Sequence, residues 1–225
     1  MKQSTFFITG TDTGVGKTVL TVLFARYLHE HGVHVAALKP VCSGDRSDAR
    51  ALHAASAGLL TLDEVNPWHF RAPIAPLLAA RRERKRIKLS QMLTYIRAMQ
   101  KRFDVLLIEG AGGLLSPLGE NFDSHDLIAA FRAIPIVVCP NRLGAVNQVL
   151  LTFKVLPRNA AAKMHVVLIS PSKPDSSTGV NRNLLGEFFN KKRIFLLPWL
   201  GEDLNPVCTL KNPRVEKTLR ALAPV

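Results

Sequence analysis

A short apolar strand that runs into a glycine-rich turn and then into a helix is the feature that most constrains this sequence. Residues 4–10 read STFFITG, residues 11–18 read TDTGVGKT, and apolar positions then recur at helical spacing up to residue 31. In such an arrangement the backbone N–H groups of the turn and the helix N-terminus surround an anion. Five residues separate Gly10 from Gly16, whereas the usual phosphate-binding loop has four. The stretch therefore predicts a phosphate-binding loop of unusual spacing.

Apolar runs typical of buried strands follow this loop along the chain. They read VHVAALK, FDVLLIEG, IPIVVCP, MHVVLIS and RIFLLPW. Helical periodicity lies between them, in residues 143–155, in residues 178–190 and in a helix that Ser90 can cap. Strands that alternate with helices indicate an α/β fold of the P-loop NTPase type, a mainly parallel β-sheet with helices on both faces. We expect one domain over residues 1–225, with residues 57–89 as its least regular part.

The chain is strongly basic, with a formal net charge of +13 and a sequence pI near 10.2. The densest run of charge is RRERKRIK, residues 81–88. Such a run can bind nucleic acid or another anionic surface, but no aromatic residue interleaves with it and no nucleic-acid motif accompanies it. A solvated segment ahead of a helix is therefore the favoured interpretation, and a basic surface also suits anionic small substrates. We expect no nucleic-acid partner.

Cysteine usage and hydropathy favour a cytoplasmic protein. Cys42, Cys139 and Cys208 lie far apart and form no metal-ligand spacing, which is typical of reduced thiols. No apolar run approaches the roughly 20 residues that span a membrane. The first residues carry one lysine and lead straight into the strand and the glycine loop, which is not the pattern of a signal peptide. We therefore expect no membrane partner.

Polar side chains stand where the predicted strands end, which is the edge at which ligands bind in parallel sheets. Lys17 adds a point charge to the loop, and Thr18 can ligate Mg²⁺. Lys39 follows the second strand and could hold another anionic group, although taken alone it is better explained as a surface lysine. Glu109 ends a later strand, at the position where a P-loop enzyme is expected to carry the carboxylate of its magnesium site. Asp48 opens a short helix. The glycines after Glu109 allow close approach of a ligand or only a tight turn.

Seven segments, taken together, resemble sequence motifs of the dethiobiotin synthetase family. The members of this family are ATP-dependent carboxylases of biotin synthesis. The segments are GTDTGVGKT, LKPVCSG, SDARAL, VNPWHFRAPIAP, IEGAGGLLSPL, RLGAVNQVLLT and LPWL. The resemblance runs over almost the whole chain, and a loop with five intervening residues is normal in that family. One such match would be weak, but seven in the right order identify the chain as a member of the family.

The resemblance implies the conversion of 7,8-diaminopelargonate, CO₂ and ATP to dethiobiotin, ADP and phosphate. One amine takes up CO₂ as a carbamate, the carbamate oxygen attacks the γ-phosphate, and the second amine closes the ureido ring with loss of phosphate. It further implies that Lys17 and Lys39 neutralise the carbamate and the γ-phosphate. Thr18, Asp48 and Glu109 match the Mg²⁺ ligands of the family, a hydroxyl and two carboxylates.

The same resemblance assigns other contacts and a homodimer. Thr13 and Ser43 match positions near the reacting carbamate and phosphate, and Gly112 and Gly113 match positions that line the substrate. In the homodimer the carboxylate tail of the substrate reaches the partner subunit. Its receptors would be Gly144 and Asn147, at a helix start that suits an anion. The nucleotide-binding set is Gly14, Val15, Gly16, Lys17, Thr18, Val19, Ser170, Pro198, Trp199 and Leu200.

Two positions depart from the family pattern. Ser170 and Pro171 stand where many members carry an asparagine that reads the nucleotide base. A serine side chain makes fewer hydrogen bonds than an amide, so base selectivity is expected to be looser or to use other groups, such as the backbone around residues 198–200. Gly14 stands where some relatives carry a glutamate.

Two other classes of protein remain as alternatives. A partitioning or septum-positioning switch ATPase of the same fold would use the basic charge to bind DNA or membrane. Such proteins carry a lysine early in the loop, where this chain has Asp12, and the final stretch VEKTLRALAPV does not indicate an amphipathic membrane helix. A binding protein that has lost activity is opposed by the intact lysines and carboxylates. Amidotransferase-type synthases need a glutaminase domain for which 225 residues leave no room.

Overall fold

The computed structural model describes residues 3–201 and 205–223. Within them the strands are β1 (Ser4–Gly10), β2 (Val35–Leu38), β3 (Val41–Ser43), β4 (Trp68–Phe70), β5 (Val105–Gly113), β6 (Ile134–Pro140), β7 (His165–Ile169) and β8 (Ile194–Leu197). The helices are α1 (Lys17–Glu30), α2 (Ser47–Ala55), α3 (Leu62–Val65), α4 (Pro76–Arg82), α5 (Leu89–Gln100), α6 (Ser124–Phe131), α7 (Ala145–Val155), α8 (Arg158–Ala161), α9 (Asn181–Leu185), α10 (Pro206–Leu210) and α11 (Pro213–Leu222). No helix in these residues is long and apolar enough to cross a membrane.

Six strands form one sheet in the order β2-β5-β1-β6-β7-β8, and every pair in it is parallel. Strands β3 and β4 pair in parallel as a second, small sheet. The predicted mainly parallel α/β fold is therefore confirmed. Because parallel strands point the same way, the segments that follow β1, β2 and β5 meet at one edge of the sheet.

Helices cover both faces of the sheet, as the two phenylalanines of β1 show. Phe6 packs edge-on against Phe24 of α1, with ring centroids 5.5 Å apart. Phe7 lies against Gly110, where a Cβ would meet both its ring and the hydroxyl of Ser124 in α6. Neighbouring side chains of a strand point to opposite faces. Helices α1 and α6 therefore pack on opposite faces of β1, which is buried between them from residue 6 to residue 10.

Several helix ends differ from the predictions. Helix α5 begins at Leu89, so Ser90 lies in its first turn and is not its cap; instead the side chain of Gln91 accepts the backbone N–H of Lys88 at 3.1 Å. Of the helix expected over residues 178–190, only α9 forms. It ends at Leu185 because the next residue, its C-cap Gly186, has low helix propensity. Residues 57–89 hold α3, β4 and α4 and are more regular than expected.

A C-terminal helix was missed by the sequence analysis. Helix α11 is strongly amphipathic, and Val215, Leu219 and Leu222 on its apolar side are buried. That side packs against α1 and β8, and Thr218 donates a hydrogen bond to the carbonyl of Leu196 at 2.9 Å. The apolar side therefore belongs to the core, while residues 224–225 of the same stretch lie outside the described residues.

We predict that Leu219→Ala lowers the free energy of unfolding by about 3 kcal/mol, because it removes a fully buried side chain and leaves a cavity. Urea denaturation of both proteins measures the change. Lys217→Ala, at an exposed position of the same helix, is the control and should change stability by less than about 0.5 kcal/mol. Equal stabilities of the Leu219 variant and the wild type would show that α11 does not contribute to the cooperative core.

Candidate active site

Two glycines shape the loop that follows β1. Gly14 and Gly16 have φ angles of +71° and +95°, in the left-handed region that favours glycine. A Cβ at Gly16 would lie 2.5 Å from Cδ1 of Ile169, at the end of β7. Gly16 is also the N-cap of α1, which begins at Lys17. The loop thus presents the unpaired N–H groups of a helix start at the sheet edge, which is the arrangement that binds phosphate.

Lys39 stands at the centre of a charged cluster beside this loop. Its Nζ lies 2.7 Å from Oε1 of Glu109 and 3.0 Å from Oδ2 of Asp48. It also donates to the carbonyl of Gly110 at 3.1 Å. The hydroxyl of Thr18 donates to the same Glu109 oxygen at 2.8 Å. Because β5 lies between β1 and β2, the two strand ends and the start of α1 bring these groups together.

Asn66 holds the chain that carries Lys39 in place. Its amide donates to the carbonyl of Lys39 at 2.7 Å and to that of Pro40 at 3.3 Å, and the side chain is buried. The guanidinium of Arg46 in turn donates to Oδ1 of Asn66 at 2.9 Å. The asparagine of the VNP segment therefore fixes the end of β2, a role that sequence analysis did not assign.

The two lysines of the site have opposite pKa shifts. Burial lowers the pKa of Lys17 to about 8, and the neighbouring charge of Lys39 adds to the decrease. Burial also opposes the charge of Lys39, but Glu109 and Asp48 outweigh it and hold its pKa above the ordinary value. Partial burial disfavours the carboxylate of Asp48, whose pKa nevertheless lies below its usual range because of Lys39. Among the described residues, the Nζ of Lys17 has a single hydrogen-bond acceptor, the carbonyl of Asp12, at 2.8 Å.

A cleft of about 610 Å³ opens at this edge of the sheet, within the size range of small-molecule sites. The predicted site residues that line it are Thr13, Gly14, Gly16, Lys17, Thr18, Val19, Lys39, Ser43, Asp48 and Gly112. Glu109 is buried next to the cleft, in contact with Lys39. Val15 is buried under the loop against Gly10. Gly113 pairs with Gly10 in the sheet, and its N–H donates to the hydroxyl of Ser116 at 2.9 Å.

Other predicted residues lie outside this cleft. Ser170 follows β7, where its N–H donates to the carbonyl of Leu197 at 2.9 Å, and residues 198–200 follow β8. The preceding residue, Ile169, packs against Gly16, so this group borders the phosphate-binding loop. Gly144 is the N-cap of α7 with φ +90°, and Asn147 is exposed in the first turn of that helix. Neither lines the cleft of its own chain.

Two walls of the cleft come from residues that sequence analysis did not select. The first wall is formed at the start of α4, and the second follows β5. Their residues are Pro73, Ile74, Ala75 and Pro76 in the first wall and Ser116 and Pro117 in the second. Cys42 and Ala111 also line the cleft. The residues of both walls lie in the proline-containing ends of the segments VNPWHFRAPIAP and IEGAGGLLSPL. Those two segments were therefore the sequence feature from which the walls could have been predicted.

The oxygen atoms around Lys39 fit a magnesium ion. The second carboxylate oxygen of Glu109, Oε2, is buried and has no hydrogen-bond partner among the described residues. Magnesium prefers hard oxygen ligands in an octahedral arrangement and is usually held by one or two carboxylates. Thr18, Asp48 and Glu109 supply a hydroxyl and two carboxylates, and the unpartnered oxygen of Glu109 is a donor atom available to a cation.

The fold and the loop define a P-loop nucleotide-binding α/β protein, and comparisons with known proteins agree. Residues 4–206 match the AAA domain family. The chain is 35% identical over 198 residues to the ATP-dependent dethiobiotin synthetase BioD of Akkermansia muciniphila, covering 88% of this chain and 90% of that protein. It is 36% identical over 198 residues to the BioD of Anaeromyxobacter dehalogenans, covering 86% and 89%. The chain belongs to the dethiobiotin synthetase family.

Solved structures that resemble this fold include ParA-type ATPases. A ParA family ATPase from Chlorobium tepidum superimposes with a TM-score of 0.56 at 15% identity, covering 99% of this chain and 98% of that one. A putative plasmid partition protein from Borrelia burgdorferi, bound to AMPPNP, gives a TM-score of 0.61 at 14% identity, covering 99% and 97%. At such low identity the likeness shows the fold alone.

We predict that Lys39→Met lowers the free energy of unfolding by about 3 kcal/mol, because it leaves the buried carboxylate of Glu109 without a counter-charge. The double variant Lys39→Met/Glu109→Gln should recover most of the loss. Lys17→Met is the matched control: its Nζ donates to a carbonyl and forms no salt bridge in the described part of the chain, so we expect a change below about 1 kcal/mol. Urea denaturation measures all three, and equal losses for both single variants would contradict the central role of Lys39.

Proposed function

We propose that this chain acts as an ATP-dependent dethiobiotin synthetase, which joins CO₂ to 7,8-diaminopelargonate and closes a ureido ring at the expense of ATP. The observation that carries the proposal is the meeting of two lysines, Lys17 and Lys39, with Thr18, Asp48 and Glu109 at one cleft. Membership of the family supports the reaction, and the size of the cleft and its two lysines suit a small anionic substrate beside a triphosphate.

In the proposed mechanism the protein positions anions and neutralises their charge. One substrate amine adds to CO₂ to give a carbamate, whose oxygen attacks the γ-phosphate and releases ADP. The second amine then attacks the carbonyl of the mixed anhydride and expels phosphate. Lys17 and Lys39 offset the repulsion between the carbamate and the γ-phosphate, and Thr13 and Ser43 border the reacting groups. Phosphoryl transfer depends mainly on such positioning and electrostatic stabilisation.

We assign the magnesium site to Thr18, Asp48 and Glu109. A magnesium ion bound there would neutralise charge on the phosphate oxygens. The loop residues Gly14, Val15, Gly16 and Val19 supply backbone N–H groups to the phosphates. The nucleotide base would lie near Ser170 and residues 198–200, next to the loop at Gly16. Serine at this position makes fewer hydrogen bonds than an amide, so we expect modest discrimination between nucleoside triphosphates.

A homodimer is part of the proposal, and an exposed apolar surface supports it. Helices α7 and α9 pack against each other and both expose apolar side chains. The exposed residues are Leu143, Leu151, Val155, Val180, Leu184 and Phe188. A patch of this kind usually marks an interaction surface. It adjoins Gly144 and Asn147, so a second copy seated here would bring that helix start to the partner's substrate, whose carboxylate Gly144 and Asn147 would receive.

We also propose that residues 1–225 form one cytoplasmic domain. Support for a single domain comes from the hydrophobic core, in which residues from β1 to α11 join one buried cluster. Biosynthetic relatives and reduced cysteines support the cytoplasmic location, since Cys42 and Cys139 are buried free thiols.

We expect the purified protein to release phosphate from Mg-ATP only when diaminopelargonate and bicarbonate are both present, and to lose activity when EDTA removes the metal. Alanine at Lys17 or Lys39 should lower kcat/KM by about a hundredfold or more, since each removes a charge directed at the transition state. A coupled phosphate assay measures the rates, with circular dichroism to confirm folding and Lys217→Ala as the control. Repeating the assay with other nucleoside triphosphates measures base selectivity at Ser170.

Other outcomes of this assay would point elsewhere. Phosphate release that is independent of both co-substrates and stimulated by DNA or lipid would favour a switch ATPase. Absence of release under every condition would favour a binding protein. Near-normal rates in either lysine variant would contradict the assigned roles of these residues.

We predict that Leu151→Glu converts a homodimer to a monomer, because it places a charge in the apolar surface of α7 and α9. Analytical ultracentrifugation measures the mass. Leu78→Glu is the matched control, since Leu78 is a similarly exposed leucine on α4. A wild-type protein that stays monomeric at micromolar concentration would refute the dimer. A Leu151 variant that stays dimeric would show that the interface lies on another surface.

A further inference from the structure

The two walls of the cleft belong to segments that are distant in sequence. One wall, residues 73–76, ends in the first turn of α4. The other wall, Ser116 and Pro117, lies in the segment that follows β5. No strand pairing joins these segments in the described residues. The separation of the walls must therefore be set by other contacts.

The far end of α4 makes such a contact. Arg81, in the last turn of the helix, donates two hydrogen bonds to the carboxylate of Glu120, from Nε at 3.0 Å and from Nη2 at 2.8 Å. Glu120 lies three residues beyond Pro117, and its backbone N–H donates to the carbonyl of Ile87 at 3.1 Å. Ile87 is buried, so this bond anchors the segment to the core. A bidentate arginine pair restricts geometry more than a single contact does.

The charge of Arg86 also acts on the carboxylate of Glu120, but among the described residues Arg81 alone forms an ion pair with it. Lys85 pairs with Glu83 at 2.9 Å, within its own segment, and Glu83 also accepts the backbone N–H of Arg71 at 2.7 Å. Arg82, Arg84 and Arg86 are exposed and have no salt-bridge partner among the described residues. Within the run at residues 81–88, only Arg81 forms an ion pair with the segment of the second wall.

We propose that Arg81 and Glu120 are positioning residues that set the separation of the two cleft walls and thereby the binding of the amine substrate. This inference rests on the proposed function and assigns a role to the basic run. The charged groups at the phosphate side come from α1, β2, α2 and β5 and do not contact this pair. Breaking the pair should therefore weaken substrate binding and leave the chemical step intact.

The test compares Arg81→Glu, Glu120→Arg and the double variant Arg81→Glu/Glu120→Arg with the wild type. Each single variant places like charges opposite each other, and we expect KM for diaminopelargonate to rise about three- to tenfold. We expect kcat and KM for ATP to stay within about twofold. The double variant restores opposite charges and should bring KM back toward the wild-type value. Arg82→Glu makes the same charge change one residue away, without a partner to lose, and should leave KM unchanged.

Hydrogen–deuterium exchange separates failure of this inference from failure of the proposed function. We expect faster exchange in the peptide that contains residues 114–122 for each single variant and wild-type exchange for the double variant. If exchange changes in this way but the wild type has no synthetase activity, the proposed function is wrong. The role of the Arg81–Glu120 pair in holding the two walls is then still supported. If KM and exchange are unchanged in Arg81→Glu, or if Arg82→Glu has the same effect, the inference is wrong.

Discussion

The buried ion pair between Lys39 and Glu109 is the interaction on which the rest of the site depends. Both side chains are almost fully buried, and their charged atoms lie 2.7 Å apart. A carboxylate cannot be buried at a strand end without a counter-charge, so the end of β2 has to deliver a lysine to the end of β5. Thr18 bonds the same carboxylate from α1, and Asp48 bonds Lys39 from α2. One pair thus fixes four elements relative to each other.

The same pair gives the two lysines different electrostatic environments. Glu109 and Asp48 form salt bridges with Lys39, whereas Lys17 donates to a carbonyl and has no salt-bridge partner among the described residues. Burial, with the repulsion of Lys39 added to it, lowers the pKa of Lys17 to about 8. An anion that binds at the loop supplies the missing counter-charge and raises that pKa again. The electrostatics of the site therefore favour an anionic ligand at the loop.

Local patterns predicted the strand and the glycine loop at the start of the chain well. The bounds of β1 and β6 match the apolar runs over residues 4–10 and 134–140, because buried parallel strands are apolar throughout. The glycine loop is equally local, since its shape depends on positive φ angles at Gly14 and Gly16. Helix α11 was missed although its apolar side chains recur at helical spacing. The pairing of β3 with β4 was missed because such short strands are stabilised by tertiary packing, which periodicity does not report.

The segment that forms one wall of the cleft shows why the rest of the site could not be predicted from local patterns. Residues 57–89 have weak local patterns. Nevertheless Asn66 fixes the end of β2, and the chain that leads into α4 forms one wall of the cleft. Their conformation depends on distant partners: the N–H of Trp68 donates to Pro40, and Ile87 accepts the N–H of Glu120. A sequence pattern records the residues of such contacts but not their pairing. If the proposed function holds, changes in this segment can therefore alter substrate binding while the glycine loop stays the same.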